Sequence, residues 1–328
     1  MSIRVGVIGV GVMGADHART LARSGSGAQV TVVTDYDAVR ADSVAQEVSA
    51  RAVATAEELI TAPDIDAVVI ASHDSAHAEQ VKLCLVHRKP VLCEKPLAPT
   101  VDHCRDLVAT EDALGLAVPL VSVGFMRRFH HPYVALADEV RSGTIGTPLL
   151  VRSSHRNVSA YPGGTSADTI TNSAIHEIDV TSWLLGSPIV EVSWHAPKPT
   201  SLDTSRHDPQ VLMLRTADGV LTVVDVFVNA RNRRDQLGCA ARSVGRFVAA
   251  IRLVVSGGLA APVRRRLPAP VAGLDRRPHR EGAVSARVRP RLVAGATEVA
   301  AALIHSMNND GATSKVEHTE YTPTTSRE

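Results

Sequence analysis

Five consecutive residues, Ile175-His176-Glu177-Ile178-Asp179, lie inside the longer run 172–185 and carry, in His176, an imidazole of the kind general-base chemistry uses. Read as one helix over 172–185, the run puts Asn172, His176 and Asp179 on one face, because residues three and four apart are neighbours there. Ile175, Ile178, Trp183 and Leu184 fall mostly on other faces, and Gly186 followed by Ser187-Pro188 stops the helix. Two readings of His176 stand at this point: a core histidine satisfied by a neighbouring carboxylate, or a base, for which imidazole is suited because it titrates near neutral pH. A second chemical group is Lys95, between Glu94 and Pro96. Taken alone it reads equally well as a solvated surface lysine.

The elements that would place these groups lie upstream. Residues 3–8 form a short apolar run of the kind a buried parallel strand shows, and they lead straight into Gly9-Val10-Gly11-Val12-Met13-Gly14. In this G-x-G-x-x-G spacing Gly9 permits a tight turn, Gly11 lets the backbone approach a pyrophosphate, and Gly14 lets a helix pack on the strand. Val12 and Met13 fall at the helix N-terminus, whose free N–H groups face phosphates. A second strand over 30–34 ends at Asp35, about twenty residues past the last glycine, where an acid can hydrogen-bond both ribose hydroxyls. A carboxylate there disfavours a 2′-phosphate, so the pattern points to NAD over NADP. The alternative is an ordinary turn aspartate.

Strand and helix keep alternating. Thr55 with Glu58 forms a capping box that opens a short helix ending near Pro63; strands follow at 66–72, 90–93 and 120–124, and helices at 76–87 and 100–114. The strand at 90–93 delivers Glu94-Lys95-Pro96 at its carboxyl end, and ligands of open α/β sheets bind outside such ends. Residues 1–123 thus read as a Rossmann-type doubly wound parallel sheet. Further on, 132–142 reads as a helix stopped by Gly143 and 147–155 as a strand. After a loop around Pro162-Gly163-Gly164 and the helix at 172–185, strands at 189–194 and 211–216 follow, the latter turning at Ala217-Asp218-Gly219 into 220–228. Residues 124–328 read as an α+β domain with a largely antiparallel open sheet.

With 328 residues the chain can bury sizeable cores in two domains. A formal net charge of +1 gives no sign of a nucleic-acid partner, and no apolar run reaches membrane-spanning length. The start of the chain reads as a strand rather than a signal peptide, and the four cysteines, Cys84, Cys93, Cys104 and Cys239, have neither metal spacing nor a disulfide framework. A cytoplasmic protein is the expectation. Cys93 reads as a small buried hydrophobe rather than a nucleophile. His130 and His131 lack a third ligand at a matching spacing, so no metal is expected.

The glycine motif followed by His17, together with Cys93-Glu94-Lys95-Pro96-Leu97, resembles the Gfo/Idh/MocA oxidoreductase family. Gly124-Phe125-Met126-Arg127-Arg128-Phe129, His155-Arg156-Asn157 and Ile175-His176-Glu177-Ile178-Asp179 resemble the branch of that family acting on inositol. The likeness covers residues 1 to about 230. It implies that NAD removes a hydride from a ring carbon of a cyclic polyol, giving a ketone, with His176 as base and Lys95 holding the same oxygen and relaying the proton. It further implies that Glu94 and the loop of Ser72, His73 and His77 lie beside the cofactor, and that Arg127, His155 and Asn157 hydrogen-bond the remaining hydroxyls. Oligomerisation, as a homotetramer, is implied through the far face of the second sheet.

Two features depart from that pattern. The family usually carries an aspartate four residues before the catalytic histidine, and this chain has Asn172, which can orient an imidazole but cannot stabilise its cation as a carboxylate does. Asp168 and Asp179 are nearby candidates for the missing charge. Past Ala230, residues 231–291 hold fifteen of the thirty arginines, three acids and no lysine, and Arg231-Asn232-Arg233-Arg234 stands where the branch has a tyrosine-containing continuation. A nucleic-acid patch lacks interleaved aromatics here, and a solvated extension is a second reading. The preferred reading is translation out of frame from GC-rich DNA. A sheet left incomplete by such a tail would expose an edge, and 293–304 is the one convincing helical run within it. Alongside the dehydrogenase stands a second functional class, a catalytically weak NAD-binding protein.

Overall fold

The structure is a computed structural model that describes residues 2–23, 25, 27–160, 162–197, 206–230, 247–255, 258–259 and 290–319. The chain divides into two compact units, the first taking in Met1–Phe125, Arg287–Glu298 and Thr319–Glu328, the second Met126–Ala286 and Val299–His318. Instead of one boundary after residue 123, two later segments rejoin the first unit. Side chains account for this: Arg105 donates to Thr319 Oγ1 at 2.7 Å and to Glu298 Oε1 at 3.5 Å, and Cys104 Sγ lies 3.6 Å from Thr297 Oγ1.

In the first unit β1 (Ile3–Ile8), α1 (Val12–Arg23), β2 (Ala28–Thr34), α2 (Ala38–Val48), β3 (Arg51–Ala52), α3 (Ala56–Thr61), β4 (Ala67–Ile70), α4 (His77–Val86), β5 (Val91–Cys93), α5 (Val101–Ala113) and β6 (Val121–Val123) alternate. The strands pair in parallel in the order β3-β2-β1-β4-β5-β6. The strands are almost continuously apolar, with Val7, Val32, Val33 and Ile70 fully buried, as a parallel sheet demands. The chain leaves β1 toward β2 and later returns to β1's other side as β4, so a crevice opens at the carboxyl ends of these two strands. Side chains punctuate the helices. Thr55 Oγ1 accepts from Glu58 N at 3.1 Å, while the Glu58 carboxylate reaches Ala54 N, one residue before the reciprocal partner of an ideal capping box.

The second unit comprises α6 (His131–Ser142), β7 (Pro148–Asn157), α7 (Ser166–Asp168), a π-helix (Thr169–Ala174), α8 (Ile175–Leu185), β8 (Ile189–His195), β9 (Gln210–Thr216), β10 (Leu221–Phe227), β11 (Phe247–Val255), β12 (Gly258–Leu259), the later part of α9 (Pro290–Met307) and β13 (Ser314–Lys315). Its sheet runs β12-β11-β7-β10-β9-β8-β13, with β10 parallel to β7 and the other pairs antiparallel. One face is buried: Val151, Ser153 and His155 on β7, and Thr222, Val224 and Val226 on β10. Ala137 of α6 and Leu184 of α8 pack there with Val151, Val220 and Leu253.

The structure corrects two expectations. Residues 172–185 are not one α-helix; the run begins in the π-helix, and only from Ile175 is it α-helical. The sequence Thr169-Ile170-Thr171-Asn172-Ser173 explains the difference. Thr169 Oγ1 and Thr171 Oγ1 each donate at 3.3 Å to a carbonyl four residues back, Thr165 O and Ala167 O, and such hydroxyls compete with the helical ladder. The feared open edge beside β7 is also absent, because β11 pairs with β7 from Phe247 to Val255. The out-of-frame reading falls mostly on 231–246 and 260–289, outside the described residues.

Candidate active site

The glycine loop is built as its spacing predicts. Gly9 has φ +79, and a Cβ on it would lie 2.5 Å from Ser72 N and Cα. A Cβ on Gly14 would lie 1.8 Å from Gly9 O, so that helix α1 can meet the loop only through glycine. Gly11 differs: a Cβ there meets nothing within 4 Å. That open side, at the N-terminus of α1 where Val12 and Met13 are exposed, fits a dinucleotide's pyrophosphate. Gly9, Gly11, Val12, Met13 and Gly14 are the residues that could hold it.

Asp35 follows β2, but its carboxylate already has work inside the unit. Oδ2 accepts from Val10 N at 2.7 Å, Oδ1 from Asp37 N at 2.9 Å and Arg40 Nη1 at 3.2 Å, and the side chain is 3 % exposed. It therefore holds the glycine loop in place and has only its remaining lone pairs for a ribose. In the loop after β4, Ser72 Oγ donates to Gln80 Oε1 at 2.7 Å, and His73, exposed, lies 2.8 Å from Asp74. His77 is placed differently from the expectation. It is buried, with Nδ1 2.7 Å from Pro96 O and Nε2 3.1 Å from Ser72 O, so it ties the two loops together rather than facing a ligand.

Glu94 and Lys95 follow β5, both half-buried. Glu94 Oε1 lies 2.7 Å from His17 Nε2 on α1. That hydrogen bond raises the His17 pKa above its usual value, against the opposing effect of burial. The Glu94 carboxylate also packs against Gly124, where a Cβ would approach it to 2.9 Å. Burial pushes the Cys93 thiol far up, which removes it as a nucleophile.

In the second unit four polar side chains converge. Arg127, in the turn Met126–Phe129, places Nη1 2.6 Å from Glu177 Oε1; His155 Nδ1 lies 3.1 Å from Glu177 Oε2, and His155 Nε2 3.1 Å from Asn157 Oδ1. Glu177 has no exposed surface. Burial opposes its charge, but Arg127, His155 and His176 together bring its pKa down to about 2. His176 is buried on α8, whereas Asn172 is exposed in the π-helix, so α-helical spacing does not carry from one to the other. Asp179 turns away to Arg128, with bonds of 2.9 and 2.5 Å, and Asp168 caps α7 through Thr165 N and Oγ1. Neither supplies the missing charge. Reading the sequence missed Glu177 and His17; for Glu177 the signal was an acid in an apolar helical run, which needs a buried cation.

Among the described residues no group of three or more His, Cys, Asp or Glu is disposed to hold a metal, and no helix is long and apolar enough to cross a membrane. Comparison with known proteins matches residues 3–133 to the Gfo/Idh/MocA oxidoreductase family, NAD-binding Rossmann fold, and residues 133–249 to the C-terminal domain of that family. The chain belongs to the Gfo/Idh/MocA oxidoreductase family. Its Rossmann unit is thus the family's NAD-binding fold. Among its relatives, inositol 2-dehydrogenase 2 of Paenarthrobacter aurescens is 52% identical over 234 residues, 70% of each chain, and inositol 2-dehydrogenase 1 of Saccharopolyspora erythraea is 45% identical over 70% of this chain and 69% of its own. The crystal structure of myo-inositol dehydrogenase from Lactobacillus casei, in complex with NAD(H) and myo-inositol, superposes with a TM-score of 0.80 at 28% identity, covering 99% of both chains.

Two predictions follow from this geometry. Gly11→Ala keeps the melting temperature but weakens NAD binding at least tenfold, whereas Gly14→Ala, with its clash against backbone, lowers both; fluorescence titration with thermal unfolding separates them, and a stable, NAD-tight Gly11→Ala would contradict the cradle. His17 has a raised folded-state pKa, so its pairing stabilises fully below the unfolded value of 6.5 and fades as pH rises through the folded value. The melting-temperature advantage over His17→Gln is therefore largest in acid and shrinks on going alkaline. A difference independent of pH would refute the pairing.

Proposed function

We propose that the chain is an NAD-dependent dehydrogenase of a cyclic polyol, oxidising myo-inositol to its 2-keto product. The observation that carries this reading is the cluster of Arg127, His155 and Glu177, all buried, with half-buried Asn157, Glu177 being next to His176 in sequence. A site with several buried hydrogen-bonding groups selects a ligand bearing several hydroxyls, since an analogue lacking one leaves a group unpaired. The names of the relatives at 52% and 45% identity, and the inositol complex of the structural neighbour, support the same substrate.

Bound NAD supplies the hydride acceptor. Gly9 to Gly14 cradle its phosphates, Asp35 meets the ribose with its free lone pairs, and Ser72, His73 and Glu94 line the rest of its site. Lys95 holds the reacting hydroxyl and His176 takes its proton, a step within imidazole's range. Arg127, His155 and Asn157 hold the other hydroxyls. Asn172, an exposed amide, gives the developing histidinium no counter-charge, so part of that duty falls to Glu177. We place the enzyme in the cytoplasm, in the catabolism of inositol.

NADH formation at 340 nm with NAD and myo-inositol tests the reading. Lys95→Ala and His176→Ala each lower kcat/KM by about 10²–10⁴-fold, and Asn172→Asp raises kcat. Soluble protein that binds NAD without turning over inositol would favour the weak NAD-binding alternative instead.

We also propose that copies join, as a homotetramer, through the sheet face turned away from α6 and α8. Val211, Met213, Val223 and Phe227 lie half-buried on that face, with Arg156 and Asp225 paired among them. Light scattering after size exclusion should find a tetramer, reduced to smaller species by Phe227→Glu. A monomeric wild type would sink this part.

A further inference from the structure

The helix that carries His176 also carries, at the next position, a carboxylate wholly withdrawn from solvent. Glu177 is 0 % exposed, and its contacts run to a guanidinium and an imidazole from two other elements, Arg127 in the turn after β6 and His155 on β7. Both are residues through which the proposed substrate would be read. We propose that Glu177 is a positioning residue that keeps His155 protonated at Nδ1 and clamps Arg127, so that both meet the polyol in one fixed arrangement.

Elementary electrostatics gives the tautomer. An ionised carboxylate only accepts hydrogen bonds. His155 Nδ1 lies 3.2 Å from Glu177 Oε1 and 3.1 Å from Oε2; a lone pair on that nitrogen would face two acceptor oxygens in a dry interior, whereas an N–H donates to them. Arg127 Nη2, at 3.5 Å from the same nitrogen, is a long and weak competitor beside its own 2.6 Å pairing with Glu177. With the proton on Nδ1, a neutral ring has its acceptor lone pair at Nε2, where the Asn157 amide oxygen lies 3.1 Å away; the two fit only with that amide turned so that its NH₂ faces the ring. That edge then accepts from a hydroxyl or an amide rather than donating. The recognition chemistry of His155 is thus set from behind by Glu177, as the tautomer of a ligand-binding histidine is commonly set by the partner of its other nitrogen.

The other acids of this region are engaged elsewhere. Asp179 is bound bidentately by Arg128, and Asp168 is held in the cap of α7. Arg127, His155 and His176 outweigh the effect of burial and keep Glu177 ionised throughout the neutral range.

This role rests on the polyol reading only for its consequence in substrate recognition, so its test begins without substrate. The full chain, labelled with ¹⁵N-histidine and saturated with NAD, is compared with Glu177→Gln, and His155 is assigned from the signals lost in His155→Gln. A protonated Nδ1 on His155, lost or mixed with the Nε2–H form in Glu177→Gln, is the expected result. A bare Nδ1 in the wild type, or a His155 spectrum that ignores Glu177→Gln, overturns the proposal. Should Glu177→Gln fail to fold, Glu177→Asp, which keeps the charge but withdraws it from the ring, carries the same comparison. In kinetics the variant raises KM for myo-inositol at least tenfold and, with the counter-charge of His176 gone, also lowers kcat, while the NAD dissociation constant changes less than threefold; equal losses in KM and in NAD affinity would mark a merely structural role and refute it. Absence of inositol turnover in the wild type would count against the polyol reading alone, because the tautomer is read without it.

Discussion

One buried negative charge organises the second unit. A carboxylate without solvent must be met by cations and donors inside the protein, and removing one partner of such a pair costs about 3–5 kcal/mol. For Glu177 those partners come from the turn Met126–Phe129 and from β7, so three separate stretches of chain are brought to one point. The demand extends to register. His155 faces the charge only because β7 alternates with Val151, Ser153 and His155 inward; a slip of one residue would turn Arg156 inward and His155 out.

The first unit shows the same economy at the carboxyl ends of its strands. Asp35 holds Val10 N of the glycine loop, and His77 joins the loop after β4 to the one after β5 through Ser72 O and Pro96 O. The loops that would meet the dinucleotide are thus fastened to one another by side chains from behind. Their shape does not depend on a ligand to impose it. Gly11 stands apart as the place where the backbone is left bare.

Much of this was legible in the sequence. Apolar runs ending in glycine, and the E-K-P segment after a strand, fix positions relative to a parallel sheet, and β1, β4, β5 and β6 lie where those signals put them. The hairpin at Ala217-Asp218-Gly219 was equally plain, since Gly219 needs its φ of +89. Long-range features were not. Nothing local announces that β10 runs parallel to β7, that Glu177 rather than Asp179 faces His155, or that Asp35 is spent partly on its own loop, because each depends on residues far apart in the chain. The π-helix was hidden for another reason: its threonines fit an α-helical pattern well enough, and only their hydroxyls' bonds to carbonyls widen the turn.

The position of β7 has a bearing on how the second unit comes together. It is an inner strand, with β10 along one side and β11 along the other, although both follow it late in the chain; Ser154 and Asp225, hydrogen-bonded across β7 and β10, are 71 residues apart. Such non-local pairing is slow, since loop closure precedes any gain from contacts. As the chain leaves the ribosome, β7 emerges first and waits, with both sides bare, until Leu221–Phe227 and then Phe247–Val255 have been synthesised. The strand that bears His155 and Asn157 is therefore open to mispairing on both sides in the nascent protein, and the arrival of β11 ends that exposure.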